Sequence, residues 1–129
     1  MGTPGQAKLP ETCSEAMRTV ASAAAGATPD PTREHLVLEK QQFDVFTNAN
    51  AEAVFQATGA RTFVVFGVVT EVCVQFAVLG LLARGYRVRV VTDAVWPITA
   101  EAGQAALEAM TARGATLTTT AEVVAEVAA

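Results

Sequence analysis

Two residues of this sequence, Cys73 and Lys40, have the types and positions that nucleophilic chemistry requires. Cys73 comes shortly after an apolar run, residues 62–66, at the third position of a helix predicted over 71–84. The backbone N–H groups of a helix's first turn have no intrahelical acceptor, and this end of a helix favours an anion. A thiolate at Cys73 is therefore favoured there, and the same N–H groups are suited to hold an oxyanion forming on an attacked carbonyl.

Lys40 follows a second apolar run, residues 35–38. Sites in open parallel sheets form at the carboxyl ends of the strands, so we expect the lysine and the cysteine to be neighbours in space. An ammonium group beside a thiol stabilises the thiolate and can orient a carboxylate or a substrate. Each residue also has a purely structural interpretation: Cys73 as a small buried residue at the start of a core helix, and Lys40 as the return of the chain to solvent.

The elements that must position these residues alternate along the chain. Strands are predicted at 35–38, 62–66, 86–92 and 115–117, and helices at 51–57, 71–84, 99–112 and from about 120. Asn48 and Thr70 are the predicted N-caps of the first two helices. The run 62–66 does not alternate in polarity, so we expect both of its faces to be covered. The pattern predicts an α/β fold: a Rossmann-like three-layer α/β/α sandwich with a mostly parallel sheet.

Size and composition are those of one folded domain spanning residues 1–129, with a loop-rich part over 1–33 in which a short helix is predicted at 15–25. The net charge of −4 argues against nucleic acid and anionic membranes as partners. Cys13 and Cys73 suggest no disulfide framework, so a cytoplasmic location is expected. Residues 63–83 hold a single charge, Glu71, but their β-branched start and Gly67 favour a strand followed by a helix over a membrane span.

Several other polar and aromatic residues have weaker claims to a function. Asp93 is expected to cap the turn after its strand, and His35 starts a strand at the far edge from Cys73, which argues against a Cys–His pair. No metal-ligand spacing or phosphate-binding loop is found, so neither a metal nor a cofactor is expected. Phe43, Phe46 and Trp96 follow strand ends and are candidates for the wall of a substrate pocket, with core packing as the alternative.

Residues 67–74, GVVTEVCV, resemble the G-[VI]-x-T-[DE]-x-C-V block of the isochorismatase-like cysteine hydrolases, a family that includes nicotinamidases and carbamoyl-group amidohydrolases. Residues 38–46 resemble the block of the family that contains its catalytic lysine, and residues 85–94 resemble the strand after the nucleophile helix. GTPG and PE, near the N-terminus, resemble a loop that precedes the lysine in the family. The resemblance implies attack by the Cys73 thiolate on a small amide, a related C–N compound or a vinyl ether, with Lys40 as the second catalytic residue. It also implies a cis peptide bond between Val68 and Val69, and an oxyanion hole formed by the amides of Val69 and Cys73.

The sequence departs from the family in one respect. The family's general acid/base is an aspartate on its first strand, and no such block is found here. By resemblance, the absent strands lie between those that end at Lys40 and Gly67, so we expect unpaired strand edges, bare apolar faces, a homo-oligomer and poor activity. Three interpretations stay open: a hydrolase without its N-terminal part, a catalytically silent module that binds a partner or dimerises, and a thiol redox protein that uses Cys73 alone.

Overall fold

The computed structural model describes residues 17–20 and 35–128. The strands in these residues are β1 Met17–Val20, β2 His35–Leu38, β3 Thr62–Val68, β4 Arg87–Trp96 and β5 Thr116–Thr118. The α-helices are α1 Ala51–Ala57, α2 Gln75–Ala83, α3 Ala100–Ala112 and α4 Thr120–Ala128. A short 3₁₀ helix covers Val45–Thr47, and a π-helix, Thr70–Val74, runs directly into α2.

The strands form two parallel sheets, one of β1 and β2 and the other in the order β3-β4-β5. The two strands that lead to Lys40 and Cys73, β2 and β3, therefore belong to different sheets. Each has one edge at which no described strand pairs with it. The α/β class and the parallel pairing predicted from the sequence are confirmed.

The hydrophobic core lies between the three-stranded sheet and helices α2 and α3. Val88 and Val90 of β4 are buried against Val78 and Leu81 of α2 and Met110 of α3. Each such side chain contributes about 1.5–3 kcal/mol when it is fully removed from water. The core thus fixes the π-helix and α2, and with them Cys73, against β3 and β4.

The opposite face of the sheet is only partly covered. Phe63 and Val65 of β3 pack against the core, whereas Val64, Phe66 and Val68 are exposed. Helix α4 lies against this second face and leaves an apolar cavity of about 270 Å³ beside β3 and β4. The expectation that both faces of β3 are covered is therefore wrong for the part of the chain that the structure describes. A run of apolar residues shows that both faces suit burial, but it does not show what covers them.

The N-terminal prediction is also corrected. Met17–Val20, inside the stretch predicted as a helix over 15–25, is a strand that pairs in parallel with β2 from Met17↔His35 to Val20↔Leu38. The pairing outweighs the weak helical preference of this Ala-rich stretch. The remainder of the predicted helix, Cys13 and the GTPG and PE segments lie outside the described residues. No helix in 35–128 is both long and apolar enough to cross a membrane.

Candidate active site

Lys40 and Cys73 are in contact at the carboxyl ends of β2 and β3. The Lys40 Nζ donates a hydrogen bond to Cys73 Sγ over 3.3 Å, although 33 positions separate the two residues in sequence. Nζ also donates to the backbone oxygen of Gln42 at 3.1 Å, and both side chains are half-buried. The arrangement places the amino group of Lys40 directly against the sulfur of Cys73.

The turn that presents Cys73 has an unusual backbone. Gly67 has a φ of 127°, which a residue with a Cβ rarely adopts, and the Val68–Val69 peptide bond is cis, at the position where the family resemblance places one. Val69 is the N-cap of the helical segment, so the prediction that Thr70 caps it is wrong. Thr70 already lies within the helix, and its buried hydroxyl has no hydrogen-bond partner among the residues that the structure describes. Cys73 is consequently the fourth residue of the segment rather than the third.

Glu71 joins the cysteine helix to the loop between β4 and α3. One of its carboxylate oxygens, Oε1, accepts a hydrogen bond from the backbone N–H of Ile98 at 2.6 Å, while Oε2 is buried and has no partner in the described part of the chain. The same loop begins after Trp96, which is 75% exposed. Phe43, on the lysine side, is 63% exposed. Phe43 and Trp96 thus present their rings to solvent, and their place in a pocket wall stays a prediction.

Phe46 has the contacts of a packing residue. Its ring lies 5.5 Å from the ring of Phe55 in α1, and the guanidinium carbon of Arg84 lies 3.7 Å from the ring centroid. The ring also approaches the backbone of Gly80 in α2 so closely that a Cβ at that position would lie 2.5 Å from ring carbons. Of the two interpretations offered by the sequence, these contacts favour packing, here between the lysine loop and α2.

Asn48 is a buried residue of the site region whose role sequence reasoning missed. The prediction that Asn48 caps α1 is wrong, because the N-cap is Asn50. The Asn48 side chain is 1% exposed, and its Nδ2 donates to the backbone oxygens of Val20, at 3.1 Å, and Glu39, at 2.7 Å. Its Oδ1 accepts from the backbone N–H of Asn50 at 2.8 Å. From sequence alone, a polar residue shortly before a helix is interpreted as its cap, because the residues that it contacts in the fold are distant along the chain.

Asp93 lies away from the lysine–cysteine contact and caps a different element from the one predicted. It is part of β4, and its Oδ1 accepts from the backbone N–H and the hydroxyl of Thr120, the first residue of α4. These two hydrogen bonds hold the pKa of the Asp93 carboxyl below its usual value. An ion pair between Arg89 and Glu126, at 2.6 Å, attaches α4 further along its length. Asp93 is therefore an anchor of α4.

No cluster of three or more His, Cys, Asp or Glu residues suited to hold a metal ion occurs in the described part of the chain. His35, the one histidine of the sequence, is the first residue of β2 and so lies at the opposite end of that strand from Lys40. The chemistry that the described residues offer is accordingly that of a thiol beside an ammonium group.

Comparison with known proteins identifies the family. A family model described as the isochorismatase domain matches residues 6–122. A protein of Danio rerio, Isochorismatase domain-containing protein 1, is 33% identical over 100 residues, which are 78% of this chain and 35% of that protein.

Two solved structures extend the comparison. The YcaC gene product of Escherichia coli, described as an octameric hydrolase of unknown specificity, is 31% identical with a TM-score of 0.62, over 68% of this chain and 43% of that one. A pyrazinamidase/nicotinamidase of Streptococcus mutans is 26% identical with a TM-score of 0.63, over 68% of this chain and 49% of that one. The matched part is thus less than half the length of each of these relatives. Since the family model spans most of the sequence and the fold is shared with these enzymes, the chain belongs to the isochorismatase-like hydrolase family.

Proposed function

We propose that this chain carries the nucleophile of a cysteine hydrolase that acts on a small amide or a related C–N compound, with a vinyl ether as a further substrate class. The observation that carries the proposal is the 3.3 Å contact between Lys40 Nζ and Cys73 Sγ. A lysine and a cysteine from distant parts of the chain meet where strands end, and such strand ends are where open parallel sheets place their sites.

In the proposed reaction, the Cys73 thiolate attacks the carbonyl carbon and forms an S–C bond, while the carbonyl π electrons move to the oxygen. The backbone N–H groups of Val69 and Cys73 stabilise this oxyanion, as the family resemblance implies. Collapse of the intermediate breaks the C–N bond and leaves a thioester on Cys73, and the departing amine takes up a proton. Water then attacks the thioester, loses a proton and releases the acid, which restores the thiolate. Lys40 Nζ stays beside the sulfur in both halves of the reaction.

The two proton transfers require an acid/base group in addition to this pair. The resemblance assigns that role to an aspartate on a strand that has no counterpart in this sequence. Two carboxylates close in sequence to the pair each accept a backbone hydrogen bond. Asp44 accepts from the N–H of Phe46 at 2.9 Å, and one oxygen of Glu71 accepts from the N–H of Ile98. We therefore expect the chain as given to be poorly active in both the formation and the hydrolysis of the thioester.

The relatives support the substrate class and the assembly. The name of the Streptococcus mutans protein, pyrazinamidase/nicotinamidase, favours an amide as the reacting group. The Escherichia coli relative is described as octameric, which favours a homo-oligomer here as well. A cytoplasmic location agrees with a chemistry that depends on a free Cys73 thiol.

A catalytically silent module of the same fold, which binds a partner or a second copy, is the alternative. The exposed apolar side chains of β3, Val64, Phe66 and Val68, favour it, because a surface of this kind lowers its free energy when another surface covers it. This alternative predicts that replacement of Cys73 changes no activity.

The deciding experiment measures ammonia release from a panel of small primary amides, including nicotinamide and pyrazinamide, by the wild-type chain and by Cys73→Ala. The mass of the protein is recorded in parallel to detect an acyl group on Cys73. Ammonia release or an acyl adduct that requires Cys73 supports the hydrolase. Equal release by both proteins, together with no adduct, rejects it in favour of the silent module.

A further inference from the structure

The residue that fixes the position of Lys40 is identifiable from the hydrogen bonds around the ends of β1 and β2. The backbone oxygen of Val20, the last residue of β1, accepts from the backbone N–H of Glu39 at 2.9 Å and from Asn48 Nδ2 at 3.1 Å. Asn48 Nδ2 also donates to the Glu39 oxygen at 2.7 Å. Glu39, the residue directly before Lys40, is therefore held at both its backbone N–H and its backbone C=O.

Only an amide side chain satisfies this arrangement. The two N–H bonds of the Asn48 amide are used on two carbonyl oxygens, and its oxygen accepts from the N–H of Asn50. An ionised aspartate at this position has no donor and would face two carbonyl oxygens in a site that is 1% exposed. A hydroxyl has one donor and reaches only one of them.

We infer that Asn48 is a positioning residue. It holds the backbone before Lys40 in place, so that the Lys40 ammonium group lies against the sulfur of Cys73. This inference rests on the proposed function, because it gives the lysine–cysteine contact its significance. Asn48 itself touches neither Cys73 nor, in the reaction described, the substrate. Its effect on the chemistry passes through the Lys40 backbone.

The consequence of removing the Asn48 side chain follows from the distance dependence of the charge interaction. If the ammonium group moves to twice its present 3.3 Å from the sulfur, its Coulomb interaction with a negative charge on the sulfur halves, a loss that corresponds to about threefold in a water-like dielectric. The change is measured as the rate of Cys73 alkylation by iodoacetamide at pH 7, followed by peptide mass spectrometry. Unfolding has the opposite effect, since it exposes the thiol.

The test compares Asn48→Ala in two backgrounds, wild type and Lys40→Met. We expect alkylation about threefold slower in the first background and no further slowing in the second, where there is no ammonium group to misplace. Val54→Ala, at a buried position of α1, is the control for loss of stability, and it should not slow alkylation. Asn48→Thr keeps the volume and one donor, so it should slow alkylation less than Asn48→Ala, and it decides the matter if the alanine variant does not fold.

Two results would overturn the inference: a folded Asn48 variant that alkylates at the wild-type rate, or equal slowing in both backgrounds. The proposed function fails separately. If Lys40→Met alone leaves the alkylation rate unchanged, the lysine–thiolate pair is wrong, whereas an unchanged rate for Asn48→Ala alone leaves that pair intact.

Discussion

Replacement of Lys40 by methionine tests the charge pair at the centre of the proposed site. Methionine keeps a long unbranched side chain but removes the positive charge that lies 3.3 Å from Cys73 Sγ. Two unit charges at that distance attract each other by about 1.3 kcal/mol even in a water-like dielectric, and by more in a half-buried site. Since about 1.4 kcal/mol is a factor of ten, we expect Lys40→Met to slow Cys73 alkylation about tenfold.

The assay is the rate of Cys73 alkylation by iodoacetamide at pH 7 and low ionic strength. Arg87→Ala is the matched control, because it removes one positive charge from an exposed residue at the amino end of β4, away from the edge of the sheet that carries Cys73. We expect the control to alkylate at the wild-type rate. The reasoning is refuted if Lys40→Met does the same, or if Arg87→Ala slows the reaction equally, because the effect would then belong to the net charge.

Three further predictions concern stability and assembly. The hydrogen bonds from Thr120 lower the pKa of Asp93, so the ionised carboxylate stabilises the fold fully above its ordinary pKa of 3.8, and this stabilisation is lost as the pH falls through the lower folded pKa. Asp93→Asn should therefore reduce the fall in thermal stability below pH 4. An unchanged dependence of the unfolding temperature on pH would contradict this. Gly80→Ala should lower the free energy of unfolding by about 1–3 kcal/mol in urea titration, because its Cβ meets the Phe46 ring, and a neutral result would show that the ring moves aside freely. Phe66→Asp should reduce self-association in analytical ultracentrifugation without reducing stability, and an unchanged mass would exclude this face as a contact between copies.

The order of strands and helices from residue 35 onwards was predictable because the local signals agree with the tertiary structure. Thr62–Val68 is apolar and β-branched, and the helix after it ends before Gly85, whose φ is 86°. The meeting of Lys40 and Cys73 was predicted on the assumption that their strands share one parallel sheet, whose carboxyl ends lie along one edge. The two side chains do meet, although β2 and β3 belong to different sheets in the described structure.

The parts that sequence reasoning missed depend on partners that are distant along the chain. Met17–Val20 is a strand because His35–Leu38 pairs with it, and four residues in an Ala-rich stretch carry no signal of that pairing. Asn48 and Asp93 were both predicted as local caps, yet each bonds to an element far away in sequence. A short polar side chain can bond to its neighbours in sequence or to a distant element, and the tertiary structure determines which of the two it does.

The position of the lysine relative to the cysteine depends on packing, because β2 and β3 do not share a sheet in the described structure. Phe46, six residues after Lys40, packs on Gly80 of α2, and α2 continues the helical segment that contains Cys73. The glycine lets the ring approach the helix backbone, so this contact connects the lysine loop directly to the cysteine helix. Phe46 therefore influences the site through packing. A larger side chain at position 80 should displace the lysine loop and slow Cys73 alkylation, in addition to lowering stability.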